Sequence, residues 1–368
     1  NIDIDPTEKM GNLTVGKQQM CEIAKAISHE AKVIIFDEPS AALTESEIEE
    51  LFKIIRDLRE KQLGIVYISH RMDEIKVITD RVTVMRDGGY VGTLITKDST
   101  KDDIINMMVG RVIYEDPKTQ SMVPPGAPVV LKVEHLNAGK MVRDVSFELH
   151  KGEILGFSGL MGAGRTETAR ALFGADPKES GEIYINGQKV DIKNPMDAVN
   201  HGIGYLSEDR KRYGIVVGKS VAENTTMATL TEFMSGLFIN KKKEAQIAEE
   251  YVKSLKTKTP TVDQLVVNLS GGNQQKVVIA KWLVRNCDIL IFDEPTRGID
   301  VGAKSEIYTL MNELVAQGKS IIMISSEMTE VLRMSDRIIV MCEGRKTGEI
   351  DISEATQENI MHAATLRN

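Results

Sequence analysis

The sequence predicts an α/β protein made of two tandem copies of a parallel-sheet unit, the first of them incomplete. Two observations carry this expectation. Residues 33–39, VIIFDEP, return as residues 289–295, ILIFDEP, and Asp37 and Asp293 set the offset at 256 residues. The same offset maps Leu13 onto Leu269, Gly16 onto Gly272, Asp80 and Arg81 onto Asp336 and Arg337, and Gly88 onto Gly344, with no insertion or deletion. The second observation is that short apolar runs alternate with amphipathic stretches in both copies, and strand, helix, strand implies a parallel sheet.

In chain order, residues 32–36 and 65–69 read as short apolar strands that flank an amphipathic helix over 45–60. In that helix Ile48, Leu51, Phe52, Ile55 and Leu58 recur at helical spacing. Residues 116–128, with Pro124, Pro125 and Pro128 among small and polar neighbours, have linker chemistry. The boundaries are therefore set at 1–115 for repeat one, 116–128 for the linker and 129–368 for repeat two. Repeat two opens with an apolar strand at 153–157 and a helix at 166–172. Residues 220–259, rich in Lys, Glu and Ala, read as helical, and strand, helix and strand follow at 288–292, 304–315 and 320–325. Repeat one begins near the equivalent of Leu269, so everything upstream of that point is expected to be missing from it. The chain opens on Asn1 with nothing that reads as a targeting segment, and it is expected to be a fragment.

At 368 residues, 42% hydrophobic and 27% charged, the composition is that of a globular protein, and no apolar run is long enough to span a bilayer. A formal net charge of −8 argues against a nucleic-acid partner, which needs basic surface. Cys21, Cys287 and Cys342 lack paired spacing, so neither a disulfide framework nor a zinc site is indicated.

Residues 159–166, GLMGAGRT, have the spacing of a phosphate-cradling loop, with Arg165 where lysine is usual. Gly159, Gly162, Ala163 and Gly164 let backbone N–H groups close around phosphates. The helix that starts near Thr166 and Glu167 adds positive potential, and the Thr166 hydroxyl suits Mg2+. Arginine keeps the charge of lysine but is a bulkier, planar fork. A Gly-rich turn without a ligand is the bland alternative. Asp293 and Glu294 end an apolar strand, as Asp37 and Glu38 do. Two acids at a strand's carboxyl end suit the first to a metal shell and the second to deprotonating a water.

Residues 269–276, LSGGNQQK, resemble the signature motif of ATP-binding cassette (ABC) ATPases. Together with the phosphate loop, the Asp-Glu strands and the SH and SSE segments at 69–70 and 325–327, the resemblance covers nearly the whole chain. It implies two tandem ABC cassettes of the P-loop NTPase class, each with a RecA-like parallel sheet. The second cassette would carry an antiparallel β subdomain and a helical subdomain, with ATP and Mg2+ as ligands. The wording EDRK at 208–211 and DEPTRGIDVGAK at 293–304 is similar to the ATPases of bacterial monosaccharide importers, and GLMGAGRTE at 159–167 to the ribose-type members. Galactose, xylose or a related sugar remains the alternative.

In that family two cassettes face head to tail, so the resemblance implies two unequal sites. One combines Asp37, Glu38 as general base and His70 as γ-phosphate ligand with Ser270, Gly271, Gly272 and Gln274 of the second signature. The other combines Gly159 to Glu167 with Asp293 and Glu294, and with Thr14 and Gly16 of the first signature. Here Arg165 replaces lysine, Ser326 stands at the His70 position, Val15 replaces a glycine, and no aromatic residue occurs between 129 and 146. Thr44 also takes the place of Asp300. Asp37, Asp293, Thr166 and Glu208 are the candidates for Mg2+, and Glu208 lies near the family's γ-phosphate-sensing glutamine. The second site is expected to be nearly inactive. The implied partners are transmembrane permease subunits, docked on the helical subdomain, and through them a periplasmic or lipid-anchored sugar-binding protein. The implied place is the cytoplasmic face of the membrane. A non-hydrolysing nucleotide-binding module, or a tandem ABC protein outside transport, is the competing reading.

Overall fold

The computed structural model describes residues 4–29, 31–40, 43, 45–69, 71–86, 89–109, 118–235, 238–299 and 301–366. Thr44, His70, Gly88 and Asp300, and the side chain of Val15, lie outside the described residues. The chain divides into two compact units, one centred on residues 1–113 and the other on residues 114–368.

In the first unit, Thr14 caps helix α1 (Val15–Ile27) by accepting a hydrogen bond from the Lys17 amide. Strand β1 (Val33–Asp37), helix α2 (Glu45–Glu60) and strand β2 (Gly64–Ile68) follow, and the two strands pair in parallel with Asp37 opposite Ile68. The expected helix has the bounds predicted for it, and its Leu51, Ile55 and Leu58 pack on Ile34 and Phe36. Helix α3 (Met72–Ile78), an antiparallel pair β3 (Arg81–Arg86) and β4 (Gly89–Ile95), and helix α4 (Lys101–Val109) enclose a smaller core around Met72, Val84 and Ile104.

The second unit opens on antiparallel strands β5 (Val129–Ala138) and β6 (Val142–His150), then β7 (Ile154–Gly159) and α5 (Arg165–Leu172). Strands β8 (Ser180–Ile185) and β9 (Gln188–Val190) complete a four-stranded antiparallel sheet ordered β6-β5-β8-β9. Helix α6 (Pro195–Asn200) leads to β10 (Ile203–Leu206) and a π-helical turn, Arg210–Gly214. Next come α7 (Val221–Thr226), a two-stranded hairpin of β11 (Met234–Ser235) and β12 (Phe238–Ile239), α8 (Lys241–Ser254) and α9 (Gly271–Val284). Then β13 (Ile289–Asp293), α10 (Val301–Ala316), β14 (Ser320–Ile324), α11 (Met328–Met334), β15 (Arg337–Cys342), β16 (Arg345–Asp351) and α12 (Gln357–Ala364) close the chain. The main sheet runs β10-β13-β14-β7-β15-β16, parallel except at β16.

One expectation needs correction. Residues 220–259 are not one helical stretch: the β11–β12 hairpin and a 3-10 segment, Met227–Phe233, separate α7 from α8. Thr229 leaves helical geometry inside that segment, at φ −136°. The described part of the Pro-rich segment makes contacts of its own. The Lys118 ammonium (2.6 Å), the Ser121 hydroxyl (3.1 Å) and the Met122 amide (2.7 Å) all donate to Oδ1 of the buried Asp336, which ties this segment to repeat two.

The two repeats differ in how far their sheets are covered. Val33, Ile35, Val66 and Ile68 are 46–65% exposed, whereas the residues 256 positions on, Ile289, Ile291, Ile322 and Ile324, are at most 3% exposed. Each such side chain left in water forgoes about 1.5–3 kcal/mol of burial. Limited proteolysis is therefore expected to cut within residues 4–109 well before it cuts within 129–366. Equal protection of both, followed by mass spectrometry of the fragments, would contradict this.

Candidate functional site

The repeat-two site is assembled where β7 and β13 end. Gly159 closes β7 at φ 149°, Gly162 turns at 74°, and Gly164 caps α5 at 96°, a left-handed geometry that favours glycine. Space demands glycine as well. A Cβ on Gly164 would lie 2.1 Å from the Met141 carbonyl oxygen, and one on Gly159 would lie 2.4 Å from that of Met341. The loop is therefore pressed against backbone and leads directly into the N-terminus of α5, as phosphate binding requires.

The first two side chains of α5 reach different partners. The Thr166 hydroxyl donates to Oδ1 of Asp293 at 3.0 Å, and the Tyr205 hydroxyl donates to Oδ2 at 2.7 Å. Asp293 is fully buried, and burial raises its pKa while the bonds from Tyr205 and Thr166 hold it down. Arg165 turns inward and donates through Nη1 to the Ser325 carbonyl at 2.8 Å. Its burial lowers its pKa below the usual guanidinium value, against the pull of the Glu294 and Asp293 carboxylates. The substitution of arginine for lysine is thus accommodated by an inward hydrogen bond to the main chain.

Glu294 follows Asp293 in a left-handed conformation, φ 49°, and its amide donates to the Ile324 carbonyl at 2.9 Å. Ser326, at the position equivalent to His70, donates to Glu294 Oε2 at 3.1 Å. Burial pushes the Glu294 carboxyl up to about 7, against the pull of Arg165 and Ser326. Repeat one reproduces the backbone of this corner: Glu38 has φ 47°, and its amide donates to the Ile68 carbonyl at 3.0 Å. Asp37 is exposed there, as the sheet around it has only β1 and β2.

The signature segments are fixed from below by their glutamines. The Gln274 amide donates to the carbonyls of Val266 (3.1 Å) and Leu269 (3.2 Å), and its oxygen accepts from Arg210 Nε (3.2 Å). Gln18 makes the equivalent pair of bonds to Met10 and Leu13, both at 2.9 Å. Gln274 is buried, and its hydrogen bonds to its own loop shape the turn that presents Ser270. Ser270 stands at the N-cap position of α9, where its hydroxyl accepts from the Asn273 side-chain amide at 2.9 Å; Thr14 stands at the same position of α1 and accepts from the Lys17 backbone amide. A Cβ on Gly272 would lie 2.7 Å from that of Ala303, and one on Gly271 would lie 2.7 Å from the Arg210 guanidinium. Gly16, the equivalent of Gly272, is buried in α1.

A metal such as Mg2+ takes hard oxygen ligands and keeps water and phosphate oxygens among them. The Thr166 hydroxyl and the Asp293 carboxylate fit that chemistry, and among the described residues no group of three His, Cys, Asp or Glu side chains forms a cage. Glu208 is ion-paired with Arg297. Residues that sequence reasoning missed are Tyr205, whose hydroxyl holds Asp293, and Arg210, whose Nη1 also donates to the Arg297 carbonyl at 3.1 Å. Neither carries a spacing signal, since each is defined by what it meets across the fold.

Residues 142–297 match the family model described as ABC transporter. Along its whole length the chain is 58% identical to a putative ribose/galactose/methyl galactoside import ATP-binding protein 1 of Burkholderia lata, of which it spans 72%. It belongs to the import ATP-binding proteins of ABC transporters. Over 98% of its length it is also 51% identical to the ribose import ATP-binding protein RbsA of Clostridium tetani, spanning 71% of that protein. Its fold is that of a solved ATP-binding cassette of an ABC transporter in its ADP conformation, with a TM-score of 0.54 at 22% identity over 64% of this chain and 95% of that one. The α/β cassette fold and the ATP-hydrolysing class expected from the sequence are thereby established.

The raised pKa of Glu294 has a sign that can be checked. A carboxyl whose folded pKa exceeds its unfolded value stabilises the fold less as pH rises, because ionisation is harder in the folded state. Between the ordinary value of 4.5 and about 7, folding is progressively penalised. Glu294→Gln is expected to raise stability at pH 8 by up to about 3 kcal/mol and to change it little at pH 5. Denaturant unfolding at the two pH values tests this, and an equal effect at both would contradict it.

Proposed function

We propose that this chain couples ATP hydrolysis to uptake of a monosaccharide, most closely a ribose-type sugar, in an importer whose permease it meets from the cytoplasmic face of the membrane. The named relatives support the sugar class, and EDRK and GLMGAGRTE support the ribose-type reading. Transmembrane permease subunits would be the direct partners, and a sugar-binding protein would act through them. No described helix is long and apolar enough to cross a membrane, which fits a subunit that borrows its membrane part.

Two tandem cassettes of unequal chemistry are part of the same reading. In the head-to-tail arrangement of the family, Asp37, Glu38 and His70 would serve the hydrolytic site, closed by Ser270, Gly271 and Gly272. Glu38 would take the proton of the attacking water, His70 would hold the γ-phosphate, and the signature serine and glycine amides would stabilise the charge that develops. Magnesium would be held by Thr166 with Asp293 in one site and by Asp37 in the other, and when bound it would neutralise phosphate charge. Gly159 to Glu167, with Thr14 and Gly16 opposite, would hold ATP mainly to keep the cassettes closed.

The observation that carries the inequality is the Arg165–Ser325 and Ser326–Glu294 pair of contacts. A general base needs an acceptor directed at water, and here Glu294 already accepts from a serine where the other repeat has a histidine. In the assembled importer Glu38→Gln is expected to lower ATP turnover by about 10²-fold to 10⁴-fold, and Glu294→Gln by no more than about threefold. Turnover near the parental rate after Glu38→Gln would sink the assignment.

A further inference from the structure

Two glutamates outside every motif named above are buried in corresponding places. Glu74 on α3 and Glu330 on α11 stand 256 residues apart, and each is 3% exposed. A carboxylate so deep must be answered by donors or it will not stay ionised. Glu74 Oε2 accepts from the hydroxyls of Ser40 (2.7 Å), Tyr67 (2.8 Å) and Ser69 (3.2 Å), and Oε1 pairs with Arg71 at 2.9 Å. Glu330 Oε1 accepts from the hydroxyls of Thr296 and Tyr308 and from Lys304 Nζ at 3.1 Å, and Oε2 accepts from the Ser325 hydroxyl at 2.7 Å.

Part of each set corresponds and part does not. Ser40 and Thr296 share the offset and lie two residues beyond Glu38 and Glu294; Ser69 and Ser325 share it and lie one residue before positions 70 and 326. The aromatic hydroxyl and the cation do not share it. Repeat one supplies Tyr67 and Arg71, where repeat two has Met323 and Glu327; repeat two supplies Tyr308 and Lys304, where repeat one has Phe52 and Ile48. The two small hydroxyls thus come from equivalent places, while the tyrosine and the cation reach the carboxylate from different elements. Replacing buried charge with well-packed apolar groups is often neutral or stabilising, so stability alone gives no reason to build the same cluster twice by different routes.

We infer that Glu74 is a positioning residue for ATP hydrolysis. By gathering Ser40 and Ser69 on one oxygen, it joins the turn after Glu38 to the strand end that leads into position 70. It thereby fixes the turn that carries the general base, Glu38, against the end of β2. This rests on the reading of Glu38 as general base. Glu330 links the corresponding places in repeat two through its two oxygens, Oε2 on Ser325, whose carbonyl receives Arg165, and Oε1 on Thr296 in the turn after Glu294.

The test uses the assembled importer with Glu74→Gln, Glu330→Gln and Ser69→Ala, the last leaving the carboxylate in place should Glu74→Gln fold poorly. For each, kcat, KM for ATP and the thermal midpoint are measured. Glu74→Gln is expected to lower kcat by about 10-fold to 10²-fold with KM within about threefold, because a misplaced group costs rate rather than binding. Ser69→Ala is expected to lower kcat in the same direction and to add little in the double variant. Glu330→Gln, the matched change at an equally buried carboxylate, is expected to shift the midpoint comparably and leave kcat within about threefold. Equal losses of kcat and midpoint in both glutamate variants would mean a structural role only and overturn the inference. Parental kcat after Glu74→Gln, with turnover abolished by Glu38→Gln, would overturn it while sparing the hydrolytic assignment. If instead Glu294→Gln abolishes turnover and Glu38→Gln does not, the assignment of sites has failed. The clamp then stands only if Glu330→Gln carries the loss of kcat.

Discussion

The repeat-two site depends on one fully buried carboxylate. Asp293 ends β13, and β14 separates that strand from β7, which feeds the phosphate loop. The bond from Thr166 bridges this gap, and the bond from Tyr205 secures the carboxylate from β10 on the other side. Loop, Asp-Glu turn and the strand before Glu208 are thus referenced to a single side chain. Removing either hydroxyl would leave a buried acceptor short of a partner, which costs more than the bond contributes when made.

The backbone logic was legible in the sequence because it is written as spacing. The 256-residue offset predicts equivalent structure, and it holds down to single hydrogen bonds: Gln18 and Gln274 fasten their turns to carbonyls at equivalent positions. The strands at 32–36 and 65–69 lie one residue from their observed places, since Asp37 and Gly64 still take part in pairing. The phosphate loop and the Asp-Glu turns read correctly because glycine geometry and strand-end acids are local signals.

What the sequence hid is contact made across the fold. Gln274 sits inside a motif and looks like a ligand residue, yet its amide is consumed by the main chain beneath it. Glu208 looks like a free acid near a sensor position, yet Arg297 claims it. Glu74 and Glu330 are ordinary helix acids by pattern, and only burial distinguishes them. The 256-residue offset relates them and is the one signal of their pairing that the sequence carries. The hairpin inside 220–259 was invisible for a different reason: Lys, Glu and Ala composition reports helix preference averaged over a window, and a two-residue strand is lost in that average.

Glu38 and Glu294 both hold a left-handed backbone, a region that costs a side chain with a Cβ about 1–2 kcal/mol and costs glycine almost nothing. On the proposed reading of Glu38 as general base, that acid is seated at the point of the turn where it is least comfortable. Selection for heat resistance alone would favour Gly or Asn there, and on the same reading the resulting protein would be sturdier and catalytically silent. Thermal screening of variants of this chain, uncoupled from an activity screen, has a built-in bias toward dead enzymes.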